Sequence, residues 1–270
     1  MSSSSMRPLT DIPPDLRLRV RYVLTDIDDT MTDHGRLGAK AYAAMEALEE
    51  AGLKVIPVTG RPAGWCDMIA RFWPVDAVIG ENGAFWFRYD RDARRMSRHY
   101  VLTPAERRRH RGRLEALSAK ILGDVPGAAV AADQAYREAD LAIDFCEDVA
   151  PLDRPDVLRI VELFEAAGAH AKVSSIHVNG WFGEFDKLST ARSLFRDHYG
   201  LDDAGMRSAA AYVGDSPNDA PLFGFLPLSV GVANVRDFVG MLPAEPAYVT
   251  PSRGGAGFAE LAAMLIEATR

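Results

Sequence analysis

Two cysteines in 270 residues, Cys66 and Cys146, are too few for a disulfide framework. They form no Cys-x-x-Cys pair, so a thiolate metal or redox centre is not indicated. No apolar run reaches the ~18 residues that a membrane span needs. The opening Met-Ser-Ser-Ser-Ser-Met-Arg lacks the apolar core of a secretory signal, and residues 1–17 read as a disordered tail. Basic charge is also scarce: 31 Lys and Arg against 38 Asp and Glu leave a net −7, which argues against a nucleic-acid surface. The one basic run, Arg107 to Arg111 with His110 inside it, would spread over several faces of a helix and reads as a solvated surface. Trp65, Phe72 and Trp73 have the spacing of a buried helix face. These absences point to a cytoplasmic chain without nucleic-acid or membrane partners. Its hydrophobic fraction of 48% and charged fraction of 26% are those of an ordinary globular protein.

What is present is organised around residues 21–30. Tyr22, Val23 and Leu24 form a short apolar run of the kind found in a buried parallel strand, and it ends in Asp26, Asp28 and Asp29. Acids at the carboxyl end of such a strand lie where open α/β sheets hold their ligands. Asp26 is a ready anion at neutral pH, with an unperturbed pKa near ~4, and needs no base to become a nucleophile. Adjacent carboxylates repel, and a divalent cation would relieve the cost.

The rest of the chain supplies the sheet. Asp33-His34-Gly35 reads as a turn, 39–51 as a helix closed by Gly52, and 53–58 as a second strand running into Thr59-Gly60-Arg61-Pro62. A third strand follows at 75–79. Strand and helix alternating in this way predict parallel strands with right-handed crossovers. The texture changes at Glu81-Asn82-Gly83-Ala84. A hairpin is expected over 85–102 and a helix from the Thr103-Pro104-Ala105-Glu106 capping box to about 122. Strands near 128–132 and 141–145, a helix over 154–167, and strands near 171–174 and 176–180 follow. The α/β rhythm returns with a helix over 188–198, strands at 208–213 and 228–232, a short strand at 248–250 and a last helix over 257–268. The expected fold is α/β: a doubly wound, Rossmann-like core from 18–85 and 183–270, with an α+β cap domain inserted at 86–182.

Four strand or helix ends carry chemistry: Asp26 with Asp28, Thr59, Lys187, and Asp215 with Asp219. A parallel sheet gathers such ends along one edge. An anionic nucleophile, a hydroxyl, a fixed cation and a metal-binding carboxylate suit phosphoryl transfer, in which positioning and charge neutralisation supply most of the catalysis.

In these residues the chain resembles the haloacid dehalogenase superfamily of phosphohydrolases. Asp26-Ile27-Asp28-Asp29-Thr30 fits its Asp-x-Asp-x-Thr motif, Thr59 its second motif, Lys187 its third, and Gly214-Asp215-Ser216-Pro217-Asn218-Asp219 its Gly-Asp-x-x-Asn-Asp motif. The repeated α-β-β insertion, together with Val58-Thr59-Gly60-Arg61 and Glu81-Asn82-Gly83-Ala84, is similar to its Cof-like and sugar-phosphatase branch. The resemblance implies that Asp26 attacks phosphorus to form an aspartyl phosphate. It implies that Asp28 protonates the leaving oxygen and then deprotonates water. Mg²⁺ would be held by the carboxylates of Asp26 and Asp215 and the main-chain carbonyl of Asp28. Thr59, Gly60, Lys187 and Asn218 would bind the phosphoryl group, and Asn218 and Asp219 would tune metal and lysine through hydrogen bonds. Arg61, Asn82, His177 and Asn179 are candidates for reading the rest of the substrate. The implied activity is hydrolysis of a small soluble phosphate ester, such as a sugar phosphate or phosphorylated glycosyl compound. A phosphomutase or phosphotransferase, and a non-enzymatic phospho-receiver, are the alternatives.

Overall fold

The apolar run at 22–25 becomes an interior strand because parallel neighbours cover it on both edges. The computed structural model describes residues 6–174 and 176–269. Its main sheet has six strands in the order Arg7–Pro8, Tyr248–Val249, Leu228–Gly231, Ala210–Gly214, Tyr22–Thr25, Lys54–Pro57. Every pairing in it is parallel. A further parallel bridge, Val58 to Ile79, brings the strand Val78–Gly80 alongside. Val23, Leu24, Ala211, Tyr212 and Val213 are fully enclosed, with one apolar cluster on each face of the sheet. Parallel sheets are stable only when covered in this way.

The amino-terminal stretch departs from expectation. Arg7–Pro8 pairs with Tyr248–Val249, Leu9 and Ile12 are buried, and Pro14–Arg19 is a helix. The expected tail is therefore folded over 7–17, and its first five residues lie outside the described residues. Burial of two apolar side chains and the edge pairing offset the ordering cost of a segment with no periodic pattern.

The hairpin is Phe85–Asp90 with Arg95–Tyr100. It continues the strand Val78–Gly80 as a three-stranded antiparallel sheet, and Phe85 and Phe87 pack into the core cluster. The change of texture at 86 thus marks a switch from parallel to antiparallel pairing. The second hydrophobic core begins further on, at Leu114. There the sheet order is His170–Val173, His177–Trp181, Asp140–Asp144, Ala129–Val130, all antiparallel. Helices Pro104–Asp124 and Arg154–Ala166 cover it through Leu114, Leu117, Ile121, Ile160 and Phe164. The Thr103 capping box is present in full, a feature contributing about 1 kcal/mol.

Trp65 and Phe72 correct the reading of a buried aromatic face. Helix Ala63–Phe72 turns Cys66, Ile69 and Ala70 inward, leaving Trp65 41% and Phe72 73% exposed. The Arg61 guanidinium lies 4.6 Å from the Trp65 ring centroid, which gives the ring a cationic partner. A short helix at Asp203–Ala209, capped by Asp202, completes the core.

Candidate active site

Each chemistry-bearing residue sits where a strand or helix ends. Asp26 follows the strand Tyr22–Thr25, and its N–H donates to the Val213 carbonyl at 2.9 Å, which ties the first and fourth motifs together. Asp186 caps the helix Lys187–His198, accepting the Ser189 N–H at 2.6 Å, so Lys187 is the first residue of that helix. The turn 81–84 lies against this helix start. Gly83 has φ +106°, and a Cβ there would fall 2.1 Å from the Asp186 carbonyl oxygen, so only glycine fits. Thr190 Oγ1 donates to the Gly83 carbonyl at 2.5 Å.

Lys187, Asp26, Asp215 and Asp219 are all buried together. Lys187 Nζ donates to Asp26 Oδ2 at 2.8 Å and to Asp219 Oδ1 at 2.7 Å. Asp219 Oδ1 also accepts the Tyr212 hydroxyl at 2.5 Å, and its Oδ2 accepts the N–H groups of Asp215 and Ser216 at 2.9 and 3.2 Å. Asp26 Oδ1 accepts the Ile27 N–H at 2.8 Å, and Asp215 accepts from Thr30 Oγ1 at 2.9 Å and Asn234 Nδ2 at 3.2 Å.

One lysine among three buried carboxylates leaves negative charge without compensation. Burial pushes the Asp26 carboxyl up to about 8 against the pull of Lys187, with Asp219 and Asp28 adding to the rise. Burial and the neighbouring Asp219 and Asp26 likewise push Asp215 well up. For Lys187, burial works against the charge, but Asp219 and Asp26 outweigh it and hold the ammonium above the ordinary lysine value. The chemistry missing from such a set is a second cation. Asp26, Asp215 and Asp219 each offer an oxygen, all within 4.8 Å of one another. Asp219 is saturated by four donors, so Asp26 and Asp215 are the two with lone pairs to spare. These residues fit a hard divalent ion such as Mg²⁺.

Asp28 stands apart from the lysine. Arg61 grips it with Nε at 3.1 Å from both carboxylate oxygens and Nη2 at 2.9 Å from Oδ1. Arg61 also reaches two acids of the inserted domain, Glu147 at 3.1 Å and Asp133 at 3.6 Å. The nearby His177 ring and Arg61 hold the Glu147 carboxyl down to about 2. His177 Nε2 lies 2.9 Å from Glu147 Oε2 but off the line of a ring N–H hydrogen bond.

Asp26, Asp28, Gly60, Arg61, His177, Asn179 and Asn218 line one cavity, with Arg137, Ser174, Ile176 and Ser216. The fold therefore gathers the expected catalytic and substrate residues, with three that do not line the cavity: Lys187, which reaches Asp26 from behind, Thr59 and Asn82. Thr59 is fully buried behind Gly60, its hydroxyl accepting the Arg61 N–H at 3.0 Å. Asn82 is buried beside Gly60 with Nδ2 unpartnered, and is held at φ +55°. The cavity measures about 20 Å³, room for about one water molecule. A larger cavity of about 680 Å³ adjoins it, between Arg98, Arg107 and Tyr136.

Three contributors escaped the sequence reading. Arg137 is almost wholly buried between Asp133 at 2.9 Å and Asp140 at 3.0 Å, and it donates to the Gly60 carbonyl at 2.9 Å. Glu81 is fully enclosed and accepts the Ala63 N–H at 2.9 Å. It also accepts the N–H groups of Glu138, Ala139 and Asp140 at 2.9, 2.6 and 3.2 Å. Burial pushes its carboxyl up, while Arg137 and the N–H donors pull it back. Asn234 links Asp215 to the Asp29 carbonyl. The spacing of Asp133, Arg137 and Asp140 was the available signal, and it equally describes a solvated surface run.

Residues 23–105 match the family model of haloacid dehalogenase-like hydrolases. Over that stretch the chain is haloacid dehalogenase-like. No curated protein matches it in sequence. Among solved structures it is similar to a Thermoplasma acidophilum protein, with TM-score 0.70, 20% identity and coverage of 91% of this chain and 98% of that one. It is also similar to the C-terminal domain of Candida albicans trehalose-6-phosphate phosphatase, with TM-score 0.70, 11% identity and coverage of 98% and 99%. A third likeness is to the sucrose-phosphatase of Synechocystis, solved with sucrose and phosphate, with TM-score 0.62, 16% identity and coverage of 92% and 98%. The chain shares their fold over more than nine-tenths of its length. Among its described residues, no helix is long and apolar enough to cross a membrane.

Proposed function

We propose that the chain is a Mg²⁺-dependent phosphomonoesterase acting on a small hydroxylated phosphate ester, with a sugar phosphate as the favoured class. The observation that carries this reading is Asp26 at a strand end, bound by the buried Lys187 at 2.8 Å, with a second buried carboxylate, Asp215, beside it that no cation among the described residues pairs. Asp26 and Asp215, with the Asp28 carbonyl, would hold the ion, which when bound neutralises charge on the transferring group. Asp26 attacks phosphorus and becomes an aspartyl phosphate. Asp28 gives a proton to the leaving oxygen and then takes one from the attacking water, and Lys187 and the Gly60 N–H face the charge on the phosphoryl oxygens. The similarity to sugar phosphatases supports the substrate class, as do the polar groups facing the catalytic carboxylates from the inserted domain: Arg137, His177, Asn179 and Ser174. A cavity with room for about one water must open to admit an ester and close again to exclude bulk solvent.

The test is phosphate release over a panel of sugar, polyol and nucleotide phosphates with Mg²⁺, with Asp26→Asn as control. Sugar phosphates should lead the panel, and Asp26→Asn should be silent on all of it. Turnover by Asp26→Asn would refute the assignment of the nucleophile.

A further inference from the structure

The cavity of about 680 Å³ adjoins the catalytic cavity, and Arg137 lines both. One wall is the hairpin of the core, through Arg98 and Tyr100, and the other is the inserted domain, through Arg107, Arg111, Tyr136 and Glu138. In a chain of net charge −7, four arginines, Arg98, Arg107, Arg111 and Arg137, line this space against two carboxylates, Asp67 and Glu138. Arg98 pairs with Asp67 at 2.6 Å, and Arg107 lies 3.7 Å from Glu138. Arg111 forms no ion pair among the described residues, and its one hydrogen bond is a long one, 3.4 Å, to the Arg137 carbonyl. Aromatic surface accompanies the charge. The Arg107 guanidinium sits 3.6 Å from the Tyr100 ring centroid, and Tyr136 is 59% exposed. Arginine forks with ring faces suit a phosphate group carried on a planar or ring-shaped body.

We propose that this cleft binds a small organic phosphate, and that its occupancy holds the inserted domain against the core and slows turnover. The coupling runs through residues 136–138. Tyr136, Arg137 and Glu138 all line the cleft, and Arg137 also lines the catalytic cavity and holds the Gly60 carbonyl. The N–H of Glu138 is held by the core carboxylate Glu81. A dianion bridging Arg98 of the core to Arg107 and Arg111 of the inserted domain adds a tie across the joint that must open to admit substrate. Binding follows from the cleft alone. The effect on turnover rests on the phosphatase reading given above.

The probe is phenylphosphonate, a ring-bearing dianion whose P–C bond is not a hydrolysable ester. Calorimetric titration in chelator compares the wild type, Arg98→Gln/Arg111→Gln and Lys187→Met. Saturable binding below about 1 mM is expected in the wild type and in Lys187→Met, with at least about tenfold weakening in the double variant. Binding that survives the double variant and disappears in Lys187→Met would place the ligand in the catalytic cavity and overturn the proposal, as would no binding to the wild type. With Mg²⁺ and an aryl phosphate, the probe should lower kcat in the wild type and raise only KM in the double variant. An unchanged wild-type kcat would refute the coupling. If no substrate is turned over, the phosphatase reading fails, and the calorimetry still decides the site. Should the double variant not fold, Arg111→Gln alone takes its place, since that side chain is exposed and unpaired by any acid.

Discussion

Replacing Glu81 by glutamine changes one atom type at the joint between core and inserted domain. In the wild type the carboxylate collects four main-chain N–H groups: Ala63 and Glu138 on Oε1, and Glu138, Ala139 and Asp140 on Oε2. A glutamine has one acceptor oxygen. In its better orientation that oxygen keeps Glu138, Ala139 and Asp140, and the amide NH₂ then faces the Ala63 N–H. One stranded buried donor costs about 1–3 kcal/mol. The three surviving bonds lose their charge assistance, at roughly 0.5–1 kcal/mol each. Relief from burying a charge opposes these losses, in line with the upward push of burial on this carboxyl. Because four donors and no acceptor surround the group, the ionised form is the one the structure satisfies, and a net loss of about 2–4 kcal/mol is expected. Urea unfolding followed by far-ultraviolet circular dichroism should show a midpoint lowered by about 1 M. Phosphate release should fall with it, since Arg137 and the Gly60 carbonyl are positioned by the same segment. A Glu81→Gln protein as stable as the wild type, or more so, would show that burial of the charge outweighs the hydrogen bonds and refute the reasoning.

Chelation should abolish phosphate release, Mg²⁺ should restore it and Ca²⁺ should not, because Ca²⁺ takes more ligands in a looser shell. Mg²⁺ should also raise the melting temperature by relieving the charge that burial places on Asp26 and Asp215, and a melting point indifferent to Mg²⁺ would count against that site. Asp28→Asn should accumulate a phosphoryl adduct on the peptide containing Asp26 when the leaving group is nitrophenolate, losing about 10²–10⁴-fold in turnover. Mass spectrometry locates the adduct, and its absence there would separate Asp28 from the second step. Glu147 has a folded-state pKa of about 2 against an ordinary 4.5, so its contribution to stability is present above pH 4.5 and is lost as pH falls towards 2. Glu147→Gln should flatten the stability profile across that window, and an unchanged slope would mean that its contacts with His177 and Arg61 are not made in solution.

The candidate catalytic residues were easy to single out because each lies on a local pattern: an apolar run followed at once by its acid or hydroxyl, or a helix start bearing its lysine. Asp26, Lys187 and Asp219 could be brought together from strand ends alone, and the structure places them within hydrogen-bond distance. The inserted domain resisted the same treatment because its site-facing residues are set by antiparallel register. Asn179 stands opposite Ala142, and the Asp140 carboxylate that it contacts lies two positions along the neighbouring strand, a relation no local window contains. Trp65 misled for a different reason: helical spacing cannot distinguish an inward face from one covered by a cation, and Arg61 covers this one. The helix Pro14–Arg19 and the edge strand before it were invisible because that strand, Arg7–Pro8, pairs with Tyr248–Val249, more than two hundred positions away.

The order of strands in the main sheet also dictates when the site can exist. Tyr22–Thr25 is among the first strands of the chain, yet one of its two partners is Ala210–Gly214. During synthesis the segment carrying Asp26 must wait, with one edge open, until the whole inserted domain and the helix after it have been made. That domain has its own hydrophobic cluster and is contiguous in sequence, so it can collapse while the core is still incomplete. Closing the sheet then joins distant segments across an already folded body, which shortens the effective loop and lowers its entropy cost. On this order of events, Lys187 and Asp219 reach Asp26 in the final step of folding. The catalytic centre would be the last part of the protein to form, and conditions that stall closure would leave an exposed strand edge bearing the nucleophile.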